Sequence, residues 1–275
     1  MTVETKRTIS IDEALLHLRV DGFFLLDAVI PAGEVDAVRR SVEATVASKG
    51  RTTLIQGAKT CKGLINYDQS IAEYLADERI MGIAESLLGP HVRISMTTAA
   101  INYPGNEPGK WHADWPFNHE NAGHVPMPYP DAVMHLTTIW MLSPFTRENG
   151  GTFVVPGSHR SSTNPTGDIG VDRLKPYPTE IQATGDAGSV LVLDSRLWHR
   201  VATNRSDRPR VGAPVRYAPW WLNLDVLMPG SDERARMVDE TGLKENEVVP
   251  IDPDVYAALP ENAKPLLRHW VSRRC

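Results

Sequence analysis

Apolar positions in the first third of the chain recur mainly at helical spacing. A short helix is predicted to begin at the capping-box pattern Ser10-Ile11-Asp12-Glu13. Valines spaced by three or four residues predict a second helix over 35–46, and residues 71–88 predict two short ones. Between these helices, Phe23-Phe24-Leu25-Leu26 predicts a buried strand, and residues 51–67 are read as either a hairpin or a mobile flap.

From residue 91 onward, short apolar runs alternate with turn residues. Strands are therefore expected over 92–103, 133–142, 152–155 and 189–194, with one or two more over 211–224. Residues 116–131 contain four prolines and little periodicity, which predicts a long loop. From Ser231 the chain alternates polar loops with short helices such as 252–259.

Many short strands with helices to the outside predict a mainly β protein with flanking helices, built on a double-sheet barrel or jelly roll. We find no internal repeat and no linker, so a single domain is expected over residues 1–275. Within it we expect a helical N-terminal layer over about 10–90, a jelly-roll core over about 91–225 and a C-terminal extension over 226–275.

The amino-acid composition limits which kinds of molecule this protein is expected to bind. With 41% hydrophobic and 23% charged residues, the chain has the balance of a globular protein. A net charge of -5 without a basic stripe argues against nucleic acid, and no apolar run is long enough to span a membrane. The first ten residues lack the apolar centre of a signal peptide. Two cysteines, Cys61 and Cys275, fit a reducing cytosol, so we expect a cytoplasmic protein; homo-oligomerisation stays open.

The candidate chemistry begins at His112-Ala113-Asp114. Two residues apart on an extended segment, the imidazole and the carboxylate point to the same side. His199, which follows the apolar run 190–193, is the best candidate for a third ligand. Two histidines and one carboxylate leave several positions open on a metal and suit non-haem Fe(II). The competing interpretation is that His112 is a surface residue, that Asp114 lies in a turn, and that His199 is a core residue satisfied by hydrogen bonds.

A basic cluster follows His199 in the sequence. It consists of Arg205, Arg208, Arg210 and Arg216. An oxygenase that uses 2-oxoglutarate needs a cation for the distal carboxylate, and the planar fork of arginine suits that role. A solvated charge or a surface salt bridge is the alternative for each of them.

At this point the chain resembles the phytanoyl-CoA dioxygenase (PhyH) family of Fe(II)- and 2-oxoglutarate-dependent oxygenases. The resemblance runs from about residue 21 to residue 217. It rests on Asp21-Gly22-Phe23, Tyr103-Pro104-Gly105, Trp111-His112-Ala113-Asp114, Glu148-Asn149-Gly150-Gly151, Val155-Pro156-Gly157-Ser158-His159, Asp194-Ser195-Arg196-Leu197-Trp198-His199, and Asn204, Ser206 and Arg210.

The resemblance implies a double-stranded β-helix with iron on His112, Asp114 and His199. It also implies that Arg210, eleven residues after His199, binds 2-oxoglutarate. Arg216 is the alternative candidate for this role. Related halogenases replace the carboxylate ligand with a small residue, so Asp114 argues for hydroxylation. The implied reaction consumes O2 and 2-oxoglutarate, releases succinate and CO2, and hydroxylates a small metabolite or natural-product intermediate.

Further contacts are expected around this site. Thr137, Thr138 and Trp140, on a core strand, are candidates for contact with 2-oxoglutarate, although packing explains them equally well. Candidate substrate contacts are Trp115, Phe117, His119, Trp198 and Arg216.

Two other functions compete with the oxygenase. One is a cupin-like metal enzyme that does not use 2-oxoglutarate, against which Arg210 argues. The other is a non-catalytic jelly-roll binding module, in which an intact ligand set would have no purpose. No extended Lys/Arg surface for a CoA diphosphate is evident, which disfavours the activity for which the family is named.

Overall fold

Three helices of two turns or more form the N-terminal layer, and short helices follow in the C-terminal segment. They are α1 (Ile11–Val20), α2 (Val35–Lys49), α3 (Glu78–Leu88), α4 (Asp232–Arg234), α5 (Pro253–Ala258) and α6 (Lys264–Leu267). These bounds come from a computed structural model that describes residues 9–272. Residues 1–8, part of the segment read for a signal peptide, and Cys275 lie outside that range.

Local chemistry explains where the N-terminal helices begin and what they bury. The Ser10 hydroxyl accepts a hydrogen bond from the Glu13 amide at 3.2 Å, as the capping box predicts. The four valines of α2 are all buried, whereas α3 begins at an aspartate cap that the sequence patterns did not reveal. Within residues 9–272, no helix is both long and apolar enough to cross a membrane.

Ten strands form two antiparallel sheets. The strands are β1 (Phe23–Leu26), β2 (Arg51–Thr52), β3 (Ala58–Lys62), β4 (Arg93–Asn102), β5 (Leu136–Met141), β6 (Phe153–Val154), β7 (Ile181–Gln182), β8 (Val190–Asp194), β9 (His199–Arg200) and β10 (Arg210–Ala218). The larger sheet has the order β1-β8-β5-β10-β4-β3-β2, and the smaller one the order β7-β6-β9. This architecture is the predicted jelly roll.

The N-terminal third contributes strands as well as helices. It supplies β1, β2 and β3 to the larger sheet, with β1 beside β8 and the β2–β3 pair beside β4. Residues 51–62 thus form the hairpin that was one of the two interpretations of this segment. Residues 116–131 contain neither helix nor strand, in agreement with the predicted loop.

The two faces of the larger sheet bury different partners. One face, which includes Leu136, Trp140 and Val192, packs in the main apolar core with the helices. The other face, which includes Leu191 and Leu193, packs toward the smaller sheet in a separate apolar cluster. We call this second face the inner face, because it is enclosed between the two sheets.

Leu193→Ala is expected to lower the free energy of unfolding by about 2–5 kcal/mol, because it leaves a cavity between the sheets. Leu193 is fully buried and lies opposite Phe23 and Thr137. Urea unfolding followed by tryptophan fluorescence measures the change. Leu54→Ala is the control: that side chain is 101% exposed, so its removal is expected to change stability by less than about 0.5 kcal/mol. Equal losses in both variants would contradict this account of the inner core.

Candidate metal centre

His112 and His199 face each other directly across an antiparallel bridge. Each backbone amide donates to the other residue's carbonyl, at 3.2 Å from His112 and 3.0 Å from His199. Residues opposed in this way project their side chains to the same side of the sheet. The two imidazole rings accordingly lie 4.3 Å apart between centroids, although 86 residues separate them in the chain.

Backbone carbonyls determine the tautomer of both rings. His112 Nδ1 lies 2.9 Å from the Lys110 carbonyl, and His199 Nδ1 lies 2.9 Å from the Leu197 carbonyl. A carbonyl oxygen only accepts hydrogen bonds, so Nδ1 must carry the proton in each ring. In the neutral form of each ring, Nε2 then carries the free electron pair.

The Asp114 carboxylate lies between these two nitrogens. One oxygen is 3.8 Å from His112 Nε2 and the other is 3.7 Å from His199 Nε2. The ligand atoms of the three residues all lie within 4.8 Å of one another, a grouping that can hold a metal ion. Three electron-pair donors converge here with no proton among them, which is the chemistry of a cation site.

Two further side chains fix the carboxylate. Thr137 Oγ1 donates to one oxygen at 2.6 Å, and the Arg216 guanidinium donates to the other. Burial alone would raise the pKa of Asp114, but Arg216 and the two histidines hold it below its ordinary value. Burial and the neighbouring His199 lower the pKa of His112 to about 4, so its ring is neutral at pH 7.

Arg210 is buried, and no carboxylate in residues 9–272 lies within 4.0 Å of its guanidinium nitrogens. Within residues 9–272, the only hydrogen bond of the guanidinium is from Nη1 to the Thr152 hydroxyl at 3.4 Å. Its Nε has no partner there, and the group lies 4.4 Å from the Phe145 ring centroid. Burial lowers the pKa of Arg210 to about 10, so the group is still a cation at pH 7. Burying a cation without a neighbouring carboxylate costs free energy, unless a bound ligand supplies the negative charge. Arg205 and Arg208 are exposed.

Thr138 and Trp140 do not lie at this site, which corrects the expectation that they contact the cosubstrate. Their side chains are on the helical face of β5, where Trp140 Nε1 donates to Thr138 Oγ1 at 3.0 Å and Thr138 donates to the Val215 carbonyl at 2.9 Å. Because strand side chains alternate, it is Thr137 that reaches the inner face.

The candidate substrate residues separate into two groups. Trp115 and Arg216 line one small cavity beside the triad, and the indole Nε1 of Trp115 is buried without a partner. Phe117 and His119 instead pack with Tyr129 inside the long loop, and Trp198 packs with Trp111 and Val155. The role of these last three residues as substrate contacts stays a prediction, and the buried indole Nε1 of Trp198 also has no partner within residues 9–272.

Sequence reasoning missed two polar residues on β4. Thr98 Oγ1 and Asn102 Nδ2 are buried without a hydrogen-bond partner. Asn102 lies directly opposite Arg210, which places both on the inner face. Their signal in the sequence was weak, because half of the residues of β4 are polar.

Known proteins resemble this chain in sequence and in fold. The chain is 30% identical to "Dioxygenase af480" of Aspergillus fumigatus over 207 residues, which are 72% of this chain and 63% of that protein. The chain thus spans less than two thirds of that relative. It is 28% identical to "Ectoine dioxygenase" of Nocardia farcinica over 221 residues, covering 69% of this chain and 72% of that one.

Two solved structures share the fold. HygX from Streptomyces hygroscopicus, with nickel, 2-oxoglutarate and hygromycin B bound, matches with a TM-score of 0.65 at 16% identity, covering 86% of this chain and 95% of HygX. EctD from S. alaskensis, with 2-oxoglutarate and 5-hydroxyectoine, matches with a TM-score of 0.61 at 22% identity, covering 79% of each chain. The model of the family described as "Phytanoyl-CoA dioxygenase (PhyH)" matches residues 18–212, more than half of the sequence. This protein therefore belongs to the phytanoyl-CoA dioxygenase (PhyH) family.

Proposed function

We propose that this protein is a non-haem Fe(II)- and 2-oxoglutarate-dependent dioxygenase that hydroxylates a small organic molecule. The observation that carries the proposal is the combination of an open three-ligand face with a buried guanidinium that has no acid. Family membership and the fold shared with 2-oxoglutarate-binding structures support the same function. The charge balance and the cysteine content support a cytoplasmic enzyme whose partners are small molecules.

The donor set suits iron. His112 Nε2, His199 Nε2 and one Asp114 oxygen would hold Fe(II) on one face, and the positions opposite them stay open for exchangeable ligands. The carbonyls of Lys110 and Leu197 keep both Nε2 electron pairs directed at the ion. Thr137 orients the carboxylate, the role that partners of ligating groups have in metal sites.

Arg210 suits the distal carboxylate of 2-oxoglutarate. Its guanidinium and the Thr152 hydroxyl offer donors within a buried setting, and a carboxylate there would supply the missing counter-charge. A cupin-like enzyme without this cosubstrate would leave the buried cation unexplained. A non-catalytic module would leave the convergence of three metal-ligating groups unexplained.

Fe(II) with 2-oxoglutarate and O2 supplies the oxidising chemistry, and succinate and CO2 leave as products. The chain's own residues position the reacting groups and exclude water from the site. Arg216 and Thr137 hold the Asp114 carboxylate from both of its oxygens. Leu191 and Leu193 pack on the inner face and exclude water from it. Asp114 favours hydroxylation over halogenation, because related halogenases have a small residue at this position, which lets chloride bind.

Arg210→Gln is expected to weaken 2-oxoglutarate binding at least about 30-fold, equivalent to about 2 kcal/mol, because it removes a buried charge partner. The measurement is an anaerobic titration of the Fe(II)-loaded protein that follows the visible charge-transfer band of the iron–2-oxoglutarate chelate. The exposed Arg208→Gln is the matched control and is expected to titrate like the wild type. Bound iron without a band in the wild type would favour the cupin-like alternative, and wild-type affinity in Arg210→Gln would remove Arg210 from the site.

Thr137→Val is expected to lower affinity for Fe(II) about 10–100-fold, because the carboxylate loses a partner that orients it. Anaerobic calorimetry measures the affinity. The control is Thr138→Val on the opposite face of the same strand, which leaves the Trp140 indole unpaired and is expected to lower stability with metal affinity unchanged. A loss of Fe(II) affinity in Thr138→Val, with the Fe(II) affinity of Thr137→Val unchanged, would contradict the assignment of the two faces of β5.

A further inference from the structure

A cavity of about 890 Å³ lies at the β2–β3 end of the larger sheet. Its walls include Thr60 of β3, Ala100 and Asn102 of β4, and Val201, two residues after His199. The strand register places Thr60 and Ala100 on the inner face, and it sets Asn102 opposite Arg210. The cavity therefore adjoins the side of the protein on which the triad and the proposed 2-oxoglutarate position lie. Its volume is in the range typical of small-molecule sites.

The rim of this cavity carries uncompensated positive charge. Lys49, Arg51 and Lys62 line it, and no carboxylate of residues 9–272 lies within 4.0 Å of their charged nitrogens. The only acid in the lining is Glu247, which already faces Arg234 at 3.7 Å.

The strand register places two of the three cations on the inner face. Lys49 is the last residue of α2, and Thr52 and Cys61, which also line the cavity, lie on the other face, so the cavity reaches around the end of the sheet. Arg51 pairs with Thr60, and Lys62 pairs with Thr98, so both lie on the inner face. Lys59, on the same strand as Lys62, pairs with Ile101 and lies on the other face. Lys59 is not part of the cavity lining.

The rest of the lining is mostly apolar or small. Leu54, Ile55, Ala58 and Val249 contribute aliphatic surface. At the floor, Asn102 is 2% exposed, and its side-chain Nδ2 is buried with no partner. A molecule that fits would have an apolar body and an anionic end, with a hydrogen-bond acceptor near the floor.

We infer that the primary substrate of the proposed oxygenase is an anionic amphiphile, in which a carboxylate or phosphate is attached to an apolar body. The anion binds at Lys49, Arg51 and Lys62, and the apolar body extends toward Asn102 and the metal centre. That the bound molecule is a substrate rests on the proposed function, whereas the preference for an anionic amphiphile rests on the cavity alone.

The test compares four probes of equal chain length by calorimetry: decanoate, decyl phosphate, decanol and decylamine. Decanoate or decyl phosphate is expected to bind the metal-loaded protein at least tenfold more tightly than decanol, and decylamine more weakly still. The stronger of the two anions identifies the headgroup. Raising the NaCl concentration is expected to weaken anion binding, because the rim is exposed to solvent. Equal affinity for decanol and both anions would overturn the inference.

Variants locate the effect. Lys49→Gln/Arg51→Gln/Lys62→Gln is expected to lose about tenfold in anion affinity and to keep its affinity for decanol. Lys59→Gln, on the opposite face of β3, is the matched control and should behave like the wild type. Anion affinity unchanged in the triple variant would overturn the assignment of the rim.

One spectroscopic readout separates this inference from the proposed function. The charge-transfer band of anaerobic protein with Fe(II) and 2-oxoglutarate is recorded in the same samples, and the favoured anion is expected to shift it. A band that no probe shifts would leave the oxygenase standing and overturn the substrate assignment. No band in any sample would overturn the proposed function, and with it the role of the anion as a substrate.

Discussion

The antiparallel pairing of His112 with His199 is the constraint on which the rest of the site depends. Two backbone hydrogen bonds fix these residues opposite each other, and the carbonyls of Lys110 and Leu197 then set both tautomers. A slip of one residue in this pairing would turn one imidazole to the other face of the sheet and leave Asp114 with a single nitrogen neighbour. The metal centre is thus a consequence of strand register, and the apolar clusters on both sides of the sheet matter because they hold that register.

The two arginines of β10 on the inner face show how charge is distributed around this pairing. Arg216 is matched by Asp114, whereas Arg210 has no acid, so the enclosed groups carry one net positive charge at neutral pH. A divalent cation bound alone would add to that charge, and a dicarboxylate would offset it. Charge balance therefore favours binding of the metal together with the cosubstrate over binding of the metal alone. The same argument explains why burial of Arg210 is tolerable in this fold.

The chemistry of the site was predictable from the sequence to the extent that it resides in motifs of fixed spacing. His112, Asp114, His199 and Arg210 fall in such motifs, and the structure brings the first three together. The phase of β5 was not predictable, because Leu136–Met141 is largely buried on both faces and Thr137 and Thr138 have the same chemistry. Whether Phe117 and Trp198 face the substrate was likewise not predictable, because an aromatic residue near a ligand in sequence packs equally well in a loop core, as both do.

The cationic rim illustrates what only the assembled fold can show. No run of Lys and Arg marks Lys49, Arg51 and Lys62 in the sequence, and they meet because the β2–β3 hairpin folds back beside the end of α2. Charged residues on edge strands often serve to prevent pairing with other chains, and that role suits Arg51 on the edge strand β2. It accounts less well for Lys62 on β3, which lies between β2 and β4, and it does not require both side chains to lie on the face that carries the cavity. Two of the three cations on one face, beside a cavity that reaches Asn102, are better explained by recognition of an anion than by protection of the edge.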